Sequence, residues 1–526
     1  MTSHARLTIL ASVLIAALTV NAASSAQKPD WHPGIAQIEQ VYATHAYKPR
    51  ELTGYFLQRI HDIDQSGPAL HSIIEVNPDA QSIADKLDAG KHPGVLFGIP
   101  VVVKDNLDTA DRMQTTAGSL ALVGQPAPRD STVVAKLRAA GAVLLAKTNL
   151  SEWANYRSTH STSGWSGRGG LALNPYALDR NACGSSSGSA VAVAAGLATV
   201  AIGTETDGSI VCPSAVNGVV GIKPTLGLVS RAGIVPISHS QDTAGPIARS
   251  VADAARVLTV IAGSDPRDPA TSQADAHRTD YTHSLDANAL KGKRIGVVRK
   301  LAGYDPGTDR VLDQAIAALR RAGATVIDKV EIPHLNDYGD AEGTVLSYEF
   351  KHDLDEYLAT RKGLPVHTLA DLIAWNKSHA DRELPWFGQE LFEQSEKRGP
   401  LTDKKYLDAL AKCRKLAGPG IDAALRKNHL DALLAPTNGP SWTNDLVNGD
   451  HVTGGSSAPA AVAGYPDITV PAGFVHGLPV GVSFFAGKWS EPALIGIAYA
   501  FEQATHARRD PEFRATVMES RRPLIQ

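Results

Sequence analysis

Apolar residues recur along the chain at two spacings, which predict helices and buried strands. From Pro49 to Ile63 they follow a helical repeat, so an amphipathic helix is expected there. The run Val95–Val103 is continuous and rich in β-branched residues, which is typical of a strand buried on both faces. Lys104 follows this run directly, so the predicted strand brings a lysine to the edge of a sheet.

The same order of helix and strand recurs further along the chain. Ser131 is expected to cap a helix that Gly141 stops, and a strand resumes at Ala142–Ala146. Ser189–Ile202 and Thr308–Ile327 repeat this pattern. Helices that alternate with buried strands predict an α/β fold with a largely parallel sheet. No linker long enough to divide domains occurs between residues 50 and 330, which favours a single large domain.

The segment 337–416 differs from this pattern. It is charged, helical in its periodicity, and contains Trp375, Trp386 and Phe387. Such a segment is expected to be an inserted helical region that covers a substrate site.

The first 26 residues have the features of a secretory signal. A short start that contains Arg6 is followed by the uncharged apolar stretch Leu7–Val20, and small residues then lead to Ala26. About 14 apolar residues are too few to cross a bilayer, which needs about 20. We therefore expect an exported protein, periplasmic or extracellular, whose mature chain spans residues 27–526 and has no membrane anchor.

Composition narrows the classes of partner. Lys and Arg number 51 against 54 Asp and Glu, which argues against nucleic acid or an anionic membrane as the main partner. No metal-ligand motif is present, so neither a metal nor another cofactor is expected. Export leaves one disulfide possible between Cys183 and Cys212, although small buried thiols are the favoured interpretation. The sequence does not indicate an oligomeric state.

Three polar positions are difficult to explain structurally. Gly184–Ser189 resembles a flexible linker, but it leads directly into a helix and should therefore be ordered as a cap. Gly203–Ile210 follows a strand at the edge where α/β sheets bind ligands, and its backbone N–H groups suit an oxyanion. Lys104 would ordinarily extend to solvent, but burial would lower its pKa and make it a base.

Together these positions resemble the amidase signature family. The resemblance covers about residues 50–505. The most specific stretch is Asn181–Gly221, and further similar segments are Pro100–Asn106, Lys147–Asn149, Asp242–Pro246 and Gly464–Pro466. The family implies a single large domain with a mostly parallel, mixed β-sheet flanked by helices on both faces.

The resemblance also implies the catalytic residues and their roles. Ser209 matches the family's nucleophile, Ser185 matches a second serine that follows a cis peptide bond, and Lys104 matches the base. Such a Ser-Ser-Lys relay would form an acyl-enzyme on Ser209. The family's oxyanion donors correspond to the backbone of Thr206, Asp207, Gly208 and Ser209.

Two departures bear on the substrate. Asp207 stands where the family most often has glycine, which would put a carboxylate beside the oxyanion site unless it points away. Val211 replaces an arginine found in many members, which disfavours glutamine-dependent tRNA amidation. Within the family the chain resembles the bacterial peptide amidases, which convert C-terminal peptide amides to the free acid and ammonia, with water as second substrate. Small aliphatic or aryl amides are the alternative.

Two other interpretations fit the sequence less well. Gly184–Gly188 also satisfies GxSxG, which would make Ser186 the nucleophile of an α/β-hydrolase, but the preceding residues form a poor strand. A non-catalytic binding protein would be expected to lack Lys104, Ser185 or Ser209, and all three are present.

Overall fold

An 11-stranded mixed sheet forms the centre of the computed structural model, which describes residues 32–88 and 94–517. The predicted signal segment, residues 1–26, lies outside the described residues and stays a prediction. The strands are β1 (Ile73–Val76), β2 (Pro100–Lys104), β3 (Val143–Thr148), β4 (Trp165–Ser166), β5 (Gly170–Leu171), β6 (Val200–Glu205), β7 (Val220–Lys223), β8 (Thr243–Ala248), β9 (Arg294–Val297), β10 (Thr325–Ile327), β11 (Ala432–Pro436), β12 (Asp467–Val475) and β13 (Leu478–Phe485).

The α-helices are α1 (Ile35–Ala43), α2 (Pro49–Arg59), α3 (Ala80–Asp88), α4 (Thr132–Ala139), α5 (Ser187–Ala194), α6 (Val211–Val216), α7 (Val251–Ile261), α8 (Ala274–His277), α9 (Pro306–Arg321), α10 (Gly339–Thr360), α11 (Leu369–Ser378), α12 (Ala380–Glu383), α13 (Glu390–Glu396), α14 (Lys404–Asn428), α15 (Ala458–Ala463) and α16 (Glu491–Thr505). A π-helical turn, Ile60–Gln65, extends α2. The predicted α/β class in one large domain is confirmed.

The strand order places parallel pairs on both sides of an antiparallel centre. The order is β1-β3-β2-β6-β8-β7-β12-β13-β11-β9-β10, and β4 pairs separately with β5. β2 runs parallel to β3 and β6 on one side, and β9 runs parallel to β10 and β11 on the other. Because parallel strands end at the same sheet edge, β2 and β6 bring the segments that follow them close together.

Local sequence explains where several elements begin. The Ser131 hydroxyl accepts a hydrogen bond from the Val134 N–H and caps α4, as predicted. The strand predicted at Val95–Val103 is shorter than expected, since β2 begins only at Pro100. Gly98 adopts a left-handed φ of 67° and forms a turn, which leaves Val95 exposed, so that part of the prediction was wrong.

Helices α10 to α13 and most of α14 lie in the segment predicted to be helical. Phe350, Leu354 and Phe392 from this segment pack in one buried cluster with Trp153 and Val235 of the main body. The cluster anchors the inserted helices beside the carboxyl edge of β2 and β6. That these helices cover a substrate stays a prediction. In the part of the chain that the structure describes, we find no helix with the length and apolar character needed to cross a membrane.

Candidate active site

Lys104 ends β2 and is fully buried, so its ammonium group cannot reach solvent. Its Nζ lies 2.7 Å from Ser185 Oγ and 2.9 Å from Thr204 Oγ1. Asn106 Nδ2 donates to the same threonine hydroxyl at 3.0 Å. Burial lowers the pKa of Lys104 to about 7, although the carboxylates of Asp242 and Glu205 oppose this shift. A large fraction of the lysine is therefore an uncharged amine at neutral pH.

Ser185 is held in a buried, tightly packed turn. The peptide bond between Gly184 and Ser185 is cis, and the Ser185 carbonyl accepts a hydrogen bond from the Ser151 N–H at 3.2 Å. A Cβ atom at Gly184 would lie 2.0 Å from Ser151 Oγ, so no larger residue fits there without displacement. These contacts place the Ser185 hydroxyl against Lys104.

The remaining serines of this segment are engaged in structural hydrogen bonds. Ser187 Oγ donates to the Cys183 carbonyl at 2.5 Å, and Ser189 Oγ donates to the Ile202 carbonyl at 3.1 Å. Ser186 is fully buried, and its hydroxyl donates to the Thr204 carbonyl at 3.0 Å. No strand directly precedes Ser186 in this described segment, so the GxSxG interpretation is not supported. The run is ordered rather than a flexible linker.

Residues 206–209 form a loop, hereafter the oxyanion loop, between β6 and α6. Glu205 fixes its shape, because one carboxylate oxygen accepts hydrogen bonds from the N–H groups of Ile210 at 2.7 Å and Val211 at 3.0 Å. Gly208 adopts a left-handed φ of 80°, which glycine accommodates readily. Among the described residues, the N–H groups of this loop donate no hydrogen bond, which leaves them free for an anionic ligand.

Ser209, the last residue of the oxyanion loop, adjoins the Ser185 turn. Its carbonyl accepts a hydrogen bond from the Ser186 N–H at 3.2 Å, and its side chain is near the surface, with the residue 8% exposed. The structure thus brings Lys104, Ser185 and the Ser209 loop to one place. Within residues 32–88 and 94–517 no hydrogen bond joins the Ser185 and Ser209 hydroxyls directly.

A disulfide between Cys183 and Cys212 links the two serine segments. Cys183 precedes Ser185 by two residues, and Cys212 follows Ser209 by three. Both cysteines pack against Val216 and Trp442. The two cysteines are therefore bonded to each other rather than forming the pair of free buried thiols that the sequence favoured.

The side chain of Asp207 does not stand alone beside the oxyanion loop. Its carboxyl group forms hydrogen bonds with Ser457 and with Glu342 of α10, and burial raises its pKa. The carboxyl group is thus engaged by elements outside the loop, which answers the question of orientation left by the sequence.

A cavity of about 630 Å³ adjoins the site on the side of the lysine. Asn106, Thr204 and Thr206 line it, together with Asp242, whose carboxylate accepts a hydrogen bond from the Thr206 hydroxyl at 2.6 Å. Burial raises the pKa of Asp242 to about 6. Neither Ser185 nor Ser209 lines this cavity.

One group in the described chain could offer three metal ligands. His239, Glu349 and Asp353 bring their ligand atoms within 4.8 Å of one another. However, Glu349 already accepts hydrogen bonds from the hydroxyls of Ser240 and Tyr406, at 2.6 and 2.7 Å. The cluster is thus accounted for as a hydrogen-bond network.

Sequence reasoning missed several residues that support the site. Thr204 and Asp242 lie within motifs that the sequence displayed, but nothing there showed that one contacts Lys104 or that the other faces it. Glu342 and Gln241 had no local signal, because their importance arises from the packing of α10 against the oxyanion loop.

Comparison with known proteins gives consistent matches. A family model described as Amidase matches residues 51–495. A probable amidase of Arabidopsis thaliana is 43% identical over 487 residues, covering 89% of this chain and 90% of that protein. The crystal structure of a peptide amidase from Stenotrophomonas maltophilia is 52% identical with a TM-score of 0.88, covering 92% of this chain and 99% of that one.

A further relative has a different named activity. It belongs to the glutamyl-tRNA(Gln) amidotransferase of Carboxydothermus hydrogenoformans, as one of its subunits, and is 37% identical over 440 residues. The match covers 81% of this chain and 87% of that protein. The similarity therefore extends over most of the length in every case.

Proposed function

This chain belongs to the amidase family, and on that premise we propose that it hydrolyses C-terminal peptide amides through Ser209, Ser185 and Lys104. The enzyme is an amidase that cleaves a C–N bond with water. The observation that carries the proposed relay is the buried Lys104 Nζ, 2.7 Å from Ser185 Oγ and with a pKa of about 7.

The proposed first half of the reaction acylates Ser209. Ser209 Oγ attacks the amide carbonyl carbon while its proton passes to Ser185, whose own proton passes to the neutral Lys104 amine. The N–H groups of the oxyanion loop stabilise the negative oxygen of the tetrahedral intermediate. The C–N bond then breaks as the proton returns through Ser185 to the leaving nitrogen, and ammonia departs.

The second half releases the acid. Water attacks the acyl ester, and the relay first accepts its proton and then returns one to Ser209 as the ester bond breaks. Amide and water are thereby converted to carboxylic acid and ammonia. The Ser185 and Ser209 hydroxyls have to approach each other when substrate binds, since catalytic hydrogen bonds often tighten only in the complex.

The peptide amide substrate is supported by the 52% identity to a peptide amidase over nearly the whole chain. A role like that of the tRNA amidotransferase is disfavoured by Val211, because the residue has no cation to pair with the carboxylate of glutamine. Simple aliphatic and aryl amides remain the second candidate class.

The test is release of ammonia and free acid, followed by mass spectrometry. The panel comprises dipeptide amides, free amino acid amides, glutamine, and simple aliphatic and aryl carboxamides. Ser209→Ala and Lys104→Ala are expected to lower kcat by about 10³-fold or more. Ser186→Ala, the control for the GxSxG interpretation, is expected to cost less than about tenfold.

The results separate the alternatives. Preference for dipeptide amides supports the proposal, and preference for a simple carboxamide replaces the substrate while keeping the relay. Full activity in Ser209→Ala would end the assignment of the nucleophile.

A further inference from the structure

The carboxyl group of Asp207 needs a hydrogen-bond donor that ordinary pairing does not supply. Its Oδ1 is buried and, among the described residues, meets no conventional donor. The hydroxyl of Ser457 serves this carboxyl group, and Lys223 acts on it electrostatically. A buried carboxylate oxygen without a donor is costly, so a further proton is expected nearby.

Glu342, in the first turn of α10, is the neighbour that can supply this proton. Its carboxyl group is in hydrogen-bonding contact with that of Asp207. Two carboxyl groups form such a contact only when one of them keeps its proton. Burial, and next the charge of Asp207, raise the pKa of Glu342 to about 8, so Glu342 is the acid and Asp207 the acceptor at neutral pH.

Gln241 adds a second connection between α10 and the oxyanion loop. Its Nε2 donates to Glu342 Oε1 at 2.9 Å and to the carbonyl of Thr206 at 3.3 Å. The loop is therefore held on both sides of the Thr206–Asp207 peptide, once through a backbone carbonyl and once through a carboxyl group. Both connections end on Glu342.

We propose that protonated Glu342 is a positioning residue for amide hydrolysis, which holds the oxyanion loop through Asp207 and Gln241 and keeps a second negative charge away from it. This inference rests on the proposed function, in which the loop stabilises an oxyanion. Loss of the Glu342 proton leaves two adjacent carboxylates, which repel each other and oppose the negative charge that develops on the substrate oxygen.

The other charged and titratable groups around the pair are identifiable. Asp207 and Glu342 face Lys223, Tyr338, Cys413 and Tyr156. Burial raises the pKa of Cys413 to about 11 and that of Tyr156 to about 12, and also raises that of Tyr338. Asp467 acts on Lys223, and burial raises its pKa to about 8, so its effect has to be separated from that of Glu342.

The experiment compares pH profiles of kcat/KM for peptide amide hydrolysis between pH 6 and 10. In the wild-type enzyme kcat/KM is expected to fall above about pH 8, by up to about tenfold per pH unit. Glu342→Gln keeps a donor for Asp207 and an acceptor for Gln241 but cannot ionise, so its profile should stay flat there. Asp467→Asn is the matched control and should retain the fall.

A second variant tests the connection itself. Glu342→Leu removes both hydrogen bonds and is expected to lower kcat by about tenfold or more at every pH, with little change in KM. Near-ultraviolet circular dichroism verifies that each variant is folded. An unchanged alkaline fall in Glu342→Gln, or a fall lost only in Asp467→Asn, would overturn the proposal.

A spectroscopic readout separates this inference from the proposed function. Infrared spectra at pH 7 should show a protonated-carboxyl band in wild-type protein that weakens in Glu342→Gln, whether or not the protein is active. If the band difference appears while no amide is hydrolysed, the proposed function fails and the proton assignment stands. If hydrolysis occurs and the band is unchanged, the assignment to Glu342 fails.

Discussion

Lys104 shows how burial turns an ordinary basic residue into a proton acceptor. A lysine at a strand end usually reaches solvent along its flexible stem, but here the Ser185 turn and Thr204 enclose the amine. Desolvation disfavours the ammonium form, while Asp242 and Glu205 favour it, and the balance leaves the pKa at about 7. The residue is thus poised between its two protonation states at physiological pH.

This balance predicts the acidic limb of the activity profile. The neutral amine is the competent form, so kcat/KM for a peptide amide should rise by about tenfold per pH unit below pH 7 and level off above it. Asp242→Asn removes a charge that raises the pKa of Lys104, and the limb should therefore move to lower pH. A limb that stays in place, or moves to higher pH, would contradict this account. Steady-state kinetics in buffers of constant ionic strength provide the measurement.

The elements around the site show what the sequence could and could not reveal. The end of β2 at Lys104 and the loop after β6 were predictable, because strand and functional residue are adjacent in the chain. The bond between Cys183 and Cys212 was not, since spacing alone does not tell two buried thiols from a bridge. Likewise, Val95 lies in an apolar run, and only the turn at Gly98 excludes it from β2.

The Cys183–Cys212 disulfide is predicted to stabilise both serine segments. Cys183→Ser with Cys212→Ser opens a bridge between residues 29 apart, which is expected to cost about 3–4 kcal/mol of unfolding free energy. Because the bridge joins the segments that carry Ser185 and Ser209, kcat should fall more than KM rises. A disulfide persists in oxidising compartments, which agrees with the predicted export.

Reductant provides the control for this prediction. Treatment with dithiothreitol should lower the thermal midpoint and kcat of the wild type and leave the double variant unaffected. Cys413→Ala, which removes the buried free thiol, should respond to reductant as the wild type does. A double variant with wild-type midpoint and kcat would show that the bridge is dispensable.

At the scale of the whole molecule, the inserted helices are joined to the main body by a buried ionic cluster. Arg157 donates to a carboxylate oxygen of Glu152 and, at 2.6 Å, to the carbonyl of Glu383 on α12. The guanidinium lies over the rings of Trp165 and Phe387, at 5.2 and 4.3 Å from their centroids. Sequence patterns placed helices in this region, but not the contacts that fix them, because those contacts join residues far apart in the chain.

Glu383 makes this junction sensitive to pH. It is buried, its side chain accepts a hydrogen bond from the Leu120 N–H at 2.7 Å, and burial followed by the nearby Glu152 raises its pKa to about 9. A raised carboxyl pKa means that the folded protein retains a proton that the unfolded chain loses. The stabilisation is complete below about pH 4.5, the ordinary pKa of glutamate, and is lost as pH rises to about 9.

The consequence is a variant that gains relative stability in alkali. Glu383→Gln accepts the same hydrogen bond but carries no titratable proton, so the wild type should lose up to about 1.4 kcal/mol per pH unit relative to it between pH 5 and 9. Thermal midpoints measured across this range would show two diverging curves. Glu390→Gln is the control: despite partial burial, hydrogen bonds from Ser158 and Thr159 lower the pKa of Glu390 to about 2. Its effect should therefore be constant above pH 5, and parallel curves for Glu383→Gln as well would show that Glu383 is ionised in the folded enzyme.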